Sequence, residues 1–172
     1  MTSPYAALLK AIVYQQLSGK AAGTIHGRVL ALFPSERGPV PAALLALPDS
    51  SLRSAGLSRN KLLALKDLSA RALAGTLPEG AAFAALSDAE LIERFTEVRG
   101  VGRWTVEMLL LFNLGRPDVL PVTDLGIRKG FQRVYSMHRL PALSTLERAG
   151  RAWAPYRSVA SWYLWRVLDT PM

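Results

Sequence analysis

Residues 99–124 read Arg-Gly-Val-Gly-Arg-Trp-Thr, then an apolar run, then Pro-Val-Thr-Asp. The glycines of Gly100-Val101-Gly102 allow positive φ and close backbone approach, so the predicted helices on either side are joined by a very tight turn. The first starts at the capping box Ser87-Asp88-Ala89-Glu90 and runs to about Thr96. The second runs from Arg103 to Asn113, where Gly115 and Pro117 stop it. Amides at Gly102, Arg103 and Trp104 open the second helix, and amides so placed bind anions without sequence preference. Arg99 and Arg103 add positive charge, which makes nucleic-acid phosphate the natural ligand of the turn. Carbonyls on its other side, at Thr96, Val98 and Val101, are placed to share a sodium or potassium ion that would bridge turn and phosphate. A lone Gly-x-Gly equally fits a plain helix–helix turn. The flanking arginines and the capped helices favour the phosphate grip.

The balance of charge points the same way. Lysine and arginine exceed the acidic residues by 21 to 13, a net charge of +8. Such a balance commonly means a polyanion partner, nucleic acid first, although a basic surface alone does not require one. Half of the 172 residues are apolar, so the chain can bury a core, in one lobe or two. No apolar run reaches the roughly 18 residues of a membrane span. Met1-Thr2-Ser3-Pro4-Tyr5 does not begin a signal peptide. The expectation is therefore a cytoplasmic or nuclear protein, neither secreted nor membrane-bound. Cysteine is absent, which removes disulfides, thiol nucleophiles and cysteine-ligated zinc or iron–sulfur sites. The two histidines, His26 and His138, lie too far apart in sequence to suggest a catalytic transition-metal centre.

The periodicity is helical nearly throughout. Ser3-Pro4 caps a helix carrying Leu8, Leu9, Ile12, Val13 and Gln16 and ended by Gly19. A second spans about Lys20–Phe33, and Pro34 to Pro41 reads as a loop. Short helices near Pro41–Ala46 and Ser50–Ser54 precede a longer one over Asn60–Ala74, broken by Gly75 and Pro78. After the hairpin, Thr123 or Asp124 caps a helix to Tyr135, Ser144-Thr145-Leu146-Glu147 reads as a second capping box, and the last helix covers Tyr156–Leu168. No segment alternates in the manner of a strand. The expected fold class is all-α.

Asp124, read by itself, is an N-cap aspartate. It also fits chemistry. A helix N-terminus favours an ionised carboxylate, and one facing a deoxyribose can stabilise an oxocarbenium-like transition state and orient a water. Arg128, Lys129 and Arg133 follow it and can face phosphate or solvent. Trp104, with Met108 and Leu111 at helical spacing, reads alone as a core stripe, and Glu107 lies on a neighbouring face open to solvation.

Four segments in order resemble the helix-hairpin-helix DNA glycosylases, specifically the 3-methyladenine DNA glycosylase II branch. They are Ile12-Val13-Tyr14-Gln15-Gln16-Leu17-Ser18-Gly19-Lys20-Ala21-Ala22, Gly100-Val101-Gly102-Arg103-Trp104-Thr105, Pro121-Val122-Thr123-Asp124-Leu125-Gly126, and Trp153-Ala154-Pro155-Tyr156-Arg157-Ser158 through Trp165. The resemblance implies two helical lobes with a DNA cleft between them, residues 1–27 with 118–172 in one and 28–117 inserted as the other. It implies removal of alkylated purines from duplex DNA by hydrolysis of the N-glycosidic bond. No cofactor is expected apart from a structural Na+ or K+ at the hairpin carbonyls, and a monomer is expected because one active site would suffice. Asp124 would be the catalytic carboxylate, Trp104, Trp165 and Met108 would line the base pocket, and Arg99, Gly100, Gly102 and Arg103 would hold DNA. The turn Gly56–Asn60 would supply a wedge near Arg59, and Gln16 and Ser18 would contact the opposite strand, unless they are only a polar cluster ending a helix. Relatives that also cut the strand carry lysine where Trp104 stands, and lysine forms a Schiff base with the sugar. Tryptophan does not, which implies hydrolysis by water. Arg99 replaces a proline common in this hairpin, and Met108 stands where an aromatic pocket residue can occur. Two alternatives remain: a non-catalytic hairpin module, and a glycosylase for mismatched or oxidised bases.

Overall fold

The computed structural model describes residues 3–33 and 38–169. Eleven α-helices and one short 3-10 turn form the secondary structure of those residues, with no strand among them. The expectation of an all-α fold holds. The predicted loop over Pro34–Pro41 falls in part on residues 34–37, outside the described residues.

Two compact units divide between Leu109 and Leu110. The first holds α1 (Pro4–Tyr14), α2 (Gly19–Leu30), α3 (Pro41–Ala46), α4 (Asp49–Ser54), α5 (Arg59–Leu73), α6 (Gly80–Ala85), α7 (Asp88–Thr96) and most of α8 (Arg103–Phe112). Helix α5 is its centre, packing against α1, α3 and α4. Its apolar face, Leu62, Ala64, Leu65 and Leu68, is buried, as are Leu8, Leu9, Ile12 and Val13 of α1. Polar contacts join the same pair of helices: Tyr5 Oη lies 2.8 Å from Ser69 Oγ. The Lys61 ammonium donates to the carbonyls of Val13 and Gln15, both at 2.7 Å. These contacts place α1 and α2 in the unit of residues up to 109, whereas the resemblance assigns residues 1–27 to the lobe of 118–172.

The second unit contains α9 (Leu125–Val134), α10 (Leu143–Gly150), the 3-10 turn Arg151–Trp153 and α11 (Arg157–Asp169). Its core is Ile127, Phe131, Leu146 and Leu164, with Leu120, Val122, Met137, Ala149, Trp153 and Trp165 packed around it. Helices α9 and α11 make the most extensive helix–helix contact of the described residues. A Cβ on Gly130 would stand 2.0 Å from the carbonyl oxygen of Leu164, so only glycine lets the two backbones meet there.

Several boundaries differ from expectation, each for a local reason. Helix α1 ends at Tyr14 rather than Gly19, because Gln16 turns to φ 56°. Gly19 instead opens α2, whose N-cap is Ser18, with Oγ accepting the Ala21 amide. The box expected at Ser144 does not form. Helix α10 starts at Leu143, and the Ala142 carbonyl caps it by accepting the Thr145 and Leu146 amides. Helix α6 was not expected; Phe83 anchors it, edge-on to Phe95 at 5.8 Å. Gly130→Ala should lower stability by about 2 kcal/mol or more, since backbone, not a flexible side chain, blocks the new methyl. Urea unfolding would measure it, and an unchanged midpoint would contradict the close helix crossing.

Candidate functional site

The hairpin between α7 and α8 is built from the inside out. Ser87 Oγ accepts the Glu90 amide at 3.3 Å and Glu90 Oε2 accepts the Ser87 amide at 2.8 Å, the expected capping box. Past Thr96 the chain closes through two tight bonds, Val98 N–H to Phe95 O at 3.2 Å and Val101 N–H to Val98 O at 3.0 Å. Gly100 takes φ +75°, a conformation that β-carbon residues rarely adopt. Gly102 differs: its φ is ordinary and a Cβ there would meet nothing within 4 Å. No internal contact demands glycine at 102. The Gly102 carbonyl accepts the Thr105 and Val106 amides and so opens α8.

Helix α5 braces this backbone. Asp67 Oδ2 accepts the Arg99 amide at 2.8 Å and the Arg71 Nε–H at 3.2 Å, and Arg71 Nη1 donates to Glu97 Oε2 at 2.9 Å. From α1, Gln15 Nε2 donates to the Gly100 carbonyl at 2.9 Å. Burial pulls the Lys61 ammonium, which holds the end of α1, below its usual pKa. Arg99 is exposed. Arg103 is exposed too, but its Nε donates to Glu107 Oε1 at 2.9 Å. Glu107 is buried rather than solvated, and the helical spacing of four residues lets the arginine pair with it.

Between the end of α1 and the start of α8 lies a cavity of about 650 Å³, lined by Tyr14, Gln15, Gln16, Trp104, Thr105 and Met108 among others. Trp104 is 44% exposed, so it is a cavity wall and not a core stripe. Met108 is half-buried beside it. Gln16 reaches the cavity rim. Ser18 does not line it and serves as the cap of α2. Arg59 is the exposed first residue of α5, Ser58 and Asn60 beside it are exposed too, and Leu57, the apolar residue of that turn, is buried. Of the three carbonyls considered for a cation, that of Val98 already accepts the Val101 amide; a carbonyl retains a second lone pair.

In the second unit Asp124 caps α9. Its Oδ1 accepts the Ile127 amide at 2.8 Å and the Trp165 indole N–H at 2.9 Å. The indole reaches the carboxylate because residue 126 is glycine: a Cβ there would lie 2.8 Å from Trp165 Cδ1 and 3.0 Å from Asp124 Oδ1. Trp165 thus grips the carboxylate and is not among the residues lining the cavity of the first unit. Arg128 donates to the Pro141 carbonyl at 2.9 Å, a structural bond rather than a phosphate contact. Lys129 is exposed.

A family profile described as the HhH-GPD superfamily of base excision DNA repair proteins matches residues 9–155. The chain belongs to that superfamily. It is 37% identical over 164 residues to DNA-3-methyladenine glycosylase 1 of Schizosaccharomyces pombe, covering 95% of this chain and 72% of that protein. It superposes on the structure of the Schizosaccharomyces pombe 3-methyladenine DNA glycosylase in complex with abasic DNA with TM-score 0.87 and 36% identity, covering 98% of this chain and 82% of that one. A DNA-3-methyladenine glycosidase of Bacillus halodurans gives TM-score 0.89 and 36% identity, covering 97% and 76%.

The turn that carries Asp124 in this superfamily member depends on contacts that the sequence did not assign, although Arg157 and Ser158 lie in the C-terminal segment that resembles the family. Arg157 at the head of α11 binds Asp118 through two bonds, Nε to Oδ1 at 2.6 Å and Nη2 to Oδ2 at 2.8 Å. Ser158 Oγ donates to the Arg116 carbonyl and accepts the Val119 amide, and Ser161 Oγ donates to the Val119 carbonyl. Residues 116–119 are thus strapped to α11 just ahead of Pro121. Tyr14, Gln15 and Lys61 were likewise missed as parts of the hairpin side. Only pairs distant in sequence reveal such roles, and no local spacing signals them.

The Arg157 guanidinium holds the Asp118 carboxyl below its usual pKa. A depressed folded-state value means that the pair stabilises fully above the unfolded aspartate's pKa, ~4, and that this is lost as pH falls through the folded value. Asp118→Asn should cost about 1–2 kcal/mol at neutral pH for this partly exposed pair. It should also flatten the acid fall in stability below pH ~4. Thermal unfolding from pH 7 down to 3 checks both, and parallel curves for variant and parent would refute the role.

Proposed function

We propose that this chain is a monofunctional DNA glycosylase that extrudes alkylated purines of the 3-methyladenine type from duplex DNA and hydrolyses the N-glycosidic bond in base excision repair. The observation that carries this reading is the Asp124 carboxylate, fixed at a helix N-terminus through two donors on one oxygen. A cationic 3-alkylpurine is already a good leaving group. As its bond to C1′ stretches, positive charge grows on the sugar, and an ionised carboxylate stabilises it. Water then attaches at C1′, the bonding electron pair leaves with the base, which departs neutral, and the water's proton passes to the carboxylate or solvent. The Ile127 and Trp165 donors hold the Asp124 carboxylate aimed, without a cost of reorganisation at the moment of reaction.

The target base stacks inside duplex DNA and must be flipped out, at a cost of a few kcal/mol that is least for damaged pairs. The cavity beside Trp104 has the size of a small-molecule site and an aromatic wall. An indole face attracts a cation by roughly 0.5–2 kcal/mol, which favours alkylated, cationic purines over neutral ones. No lysine is among the residues lining the cavity, and Lys61, the amine at the end of α1, is committed to two carbonyls. Neither supports a Schiff base, so the reaction is hydrolysis rather than strand cleavage. The hairpin amides with Arg99 take phosphate; Arg59, Gln16 and Ser18 are assigned to further DNA contacts. The carbonyls of Thr96, Val98 and Val101 would hold a Na+ or K+ that screens that phosphate. One chain suffices, and the enzyme is assigned as a monomer.

Two experiments test this. Asp124→Asn should slow release of 3-methyladenine from methylated duplex DNA by about 10²-fold or more while duplex affinity stays unchanged. A variant near the parental rate would leave only a DNA-binding module. Trp104→Ala should cost threefold to about thirtyfold more for cationic 3-methyladenine than for neutral hypoxanthine. Equal losses would reduce Trp104 to packing, and faster release of 8-oxoguanine than of 3-methyladenine by the parent would overturn the substrate class.

A further inference from the structure

Phe112, the last residue of α8, is 67% exposed. A phenyl ring so open to water adds little to a core. Its aromatic partner is the Trp165 indole, at 5.8 Å between ring centres and 27° between planes. That indole packs at the edge of the core cluster of Ile127, Phe131, Leu146 and Leu164. It crosses Gly126 closely and ends with its N–H on Asp124 Oδ1 at 2.9 Å. The hydrogen bond needs one orientation of the ring, whereas the terminal side-chain torsion of a tryptophan is broad. Gly126, with no side chain, sets a floor but no clamp.

We propose that Phe112 is a positioning residue for the reaction: its stack on Trp165 holds the indole N–H on the Asp124 carboxylate. This rests on the assignment of Asp124 as the catalytic carboxylate. Phe112 touches neither sugar nor base in this role; it acts through Trp165. Without it the indole samples other rotations, the Oδ1 bond breaks part of the time, and the carboxylate loses a fixed donor. Ring identity, and not apolar bulk, is what the stack requires.

The test uses the full chain labelled with ¹⁵N, with the Trp165 indole N–H signal assigned by its loss in Trp165→Phe. Single-turnover release of 7-methylguanine from a methylated duplex is measured alongside. Phe112→Ala should shift the indole signal and speed its hydrogen exchange. It should slow base release about tenfold, in the range that small misplacement of a catalytic group produces, with duplex affinity within about twofold. Phe112→Leu should behave as alanine does, and Phe112→Tyr should restore both signal and rate. An unchanged indole signal or an unchanged rate in Phe112→Ala overturns the proposal, as does full rescue by leucine. Asp124→Asn in the same assay separates the two readings. If it turns over normally, the assignment of Asp124 fails. If it is inactive while Phe112→Ala is unaltered, only the positioning role fails.

Discussion

The contact between α9 and α11 sets the geometry on which the second unit depends. Gly126 and Gly130 lie four residues apart and therefore on one face of α9. At Gly130 the backbone of α9 meets the carbonyl of Leu164, and at Gly126 it passes under the Trp165 ring. With a side chain at either place the helices would stand further apart and the indole N–H would not reach Asp124. The carboxylate's orientation is therefore a consequence of two missing side chains. The cap bond and the indole bond do not compete at this residue. The cap bond to Ile127 fixes the same oxygen that the indole grips, and hydrogen bonds to a charged group contribute about 1.5–3 kcal/mol each.

A comparable economy governs the first unit. Lys61, Asp67 and Arg71 all project from α5, and between them they hold the end of α1, the Arg99 amide and Glu97. Gln15 closes the loop by donating to Gly100. The hairpin backbone is thus fixed by side chains of two other helices before any ligand arrives. Amides fixed in this way need not be ordered on binding, which removes one of the entropic costs of association. The same bonds shape the cavity, since the residues they immobilise, Gln15 and Gly100, are among its lining.

Local signals made much of this legible. The capping box at Ser87, the turn at Gly100-Val101-Gly102 and the N-cap at Asp124 are each written within a few consecutive residues, and each stands where expected. Contacts across sequence were not legible. Asp118 and Arg157 are 39 residues apart, and Gln15 and Gly100 are 85 apart; neither pair has a spacing that announces it. Glu107 misled because a charged residue at a helix surface is ordinarily solvated, whereas its arginine four residues earlier lets it be buried. The turn at Gln16 misled because positive φ is uncommon outside glycine, so Gly19 looked the better stop.

The pairing of Arg103 with Glu107 also changes how the hairpin must work. An arginine at the first position of α8 would ordinarily be credited with direct attraction of phosphate. Here its charge is offset by a buried carboxylate four residues on, and the pair is close to neutral as seen from a few ångströms away. The local positive field at the helix start then comes chiefly from the backbone itself, whose aligned dipoles amount to roughly half a unit charge, together with Arg99. Long-range attraction of a polyanion falls instead to the net charge of +8 spread over the chain, which salt screens beyond about 10 Å. Surface charge thus brings a polyanion near without choosing its register. On the proposed reading, the Gly102 turn, braced by α5 and α1, is the short-range element that would fix where a backbone phosphate comes to rest.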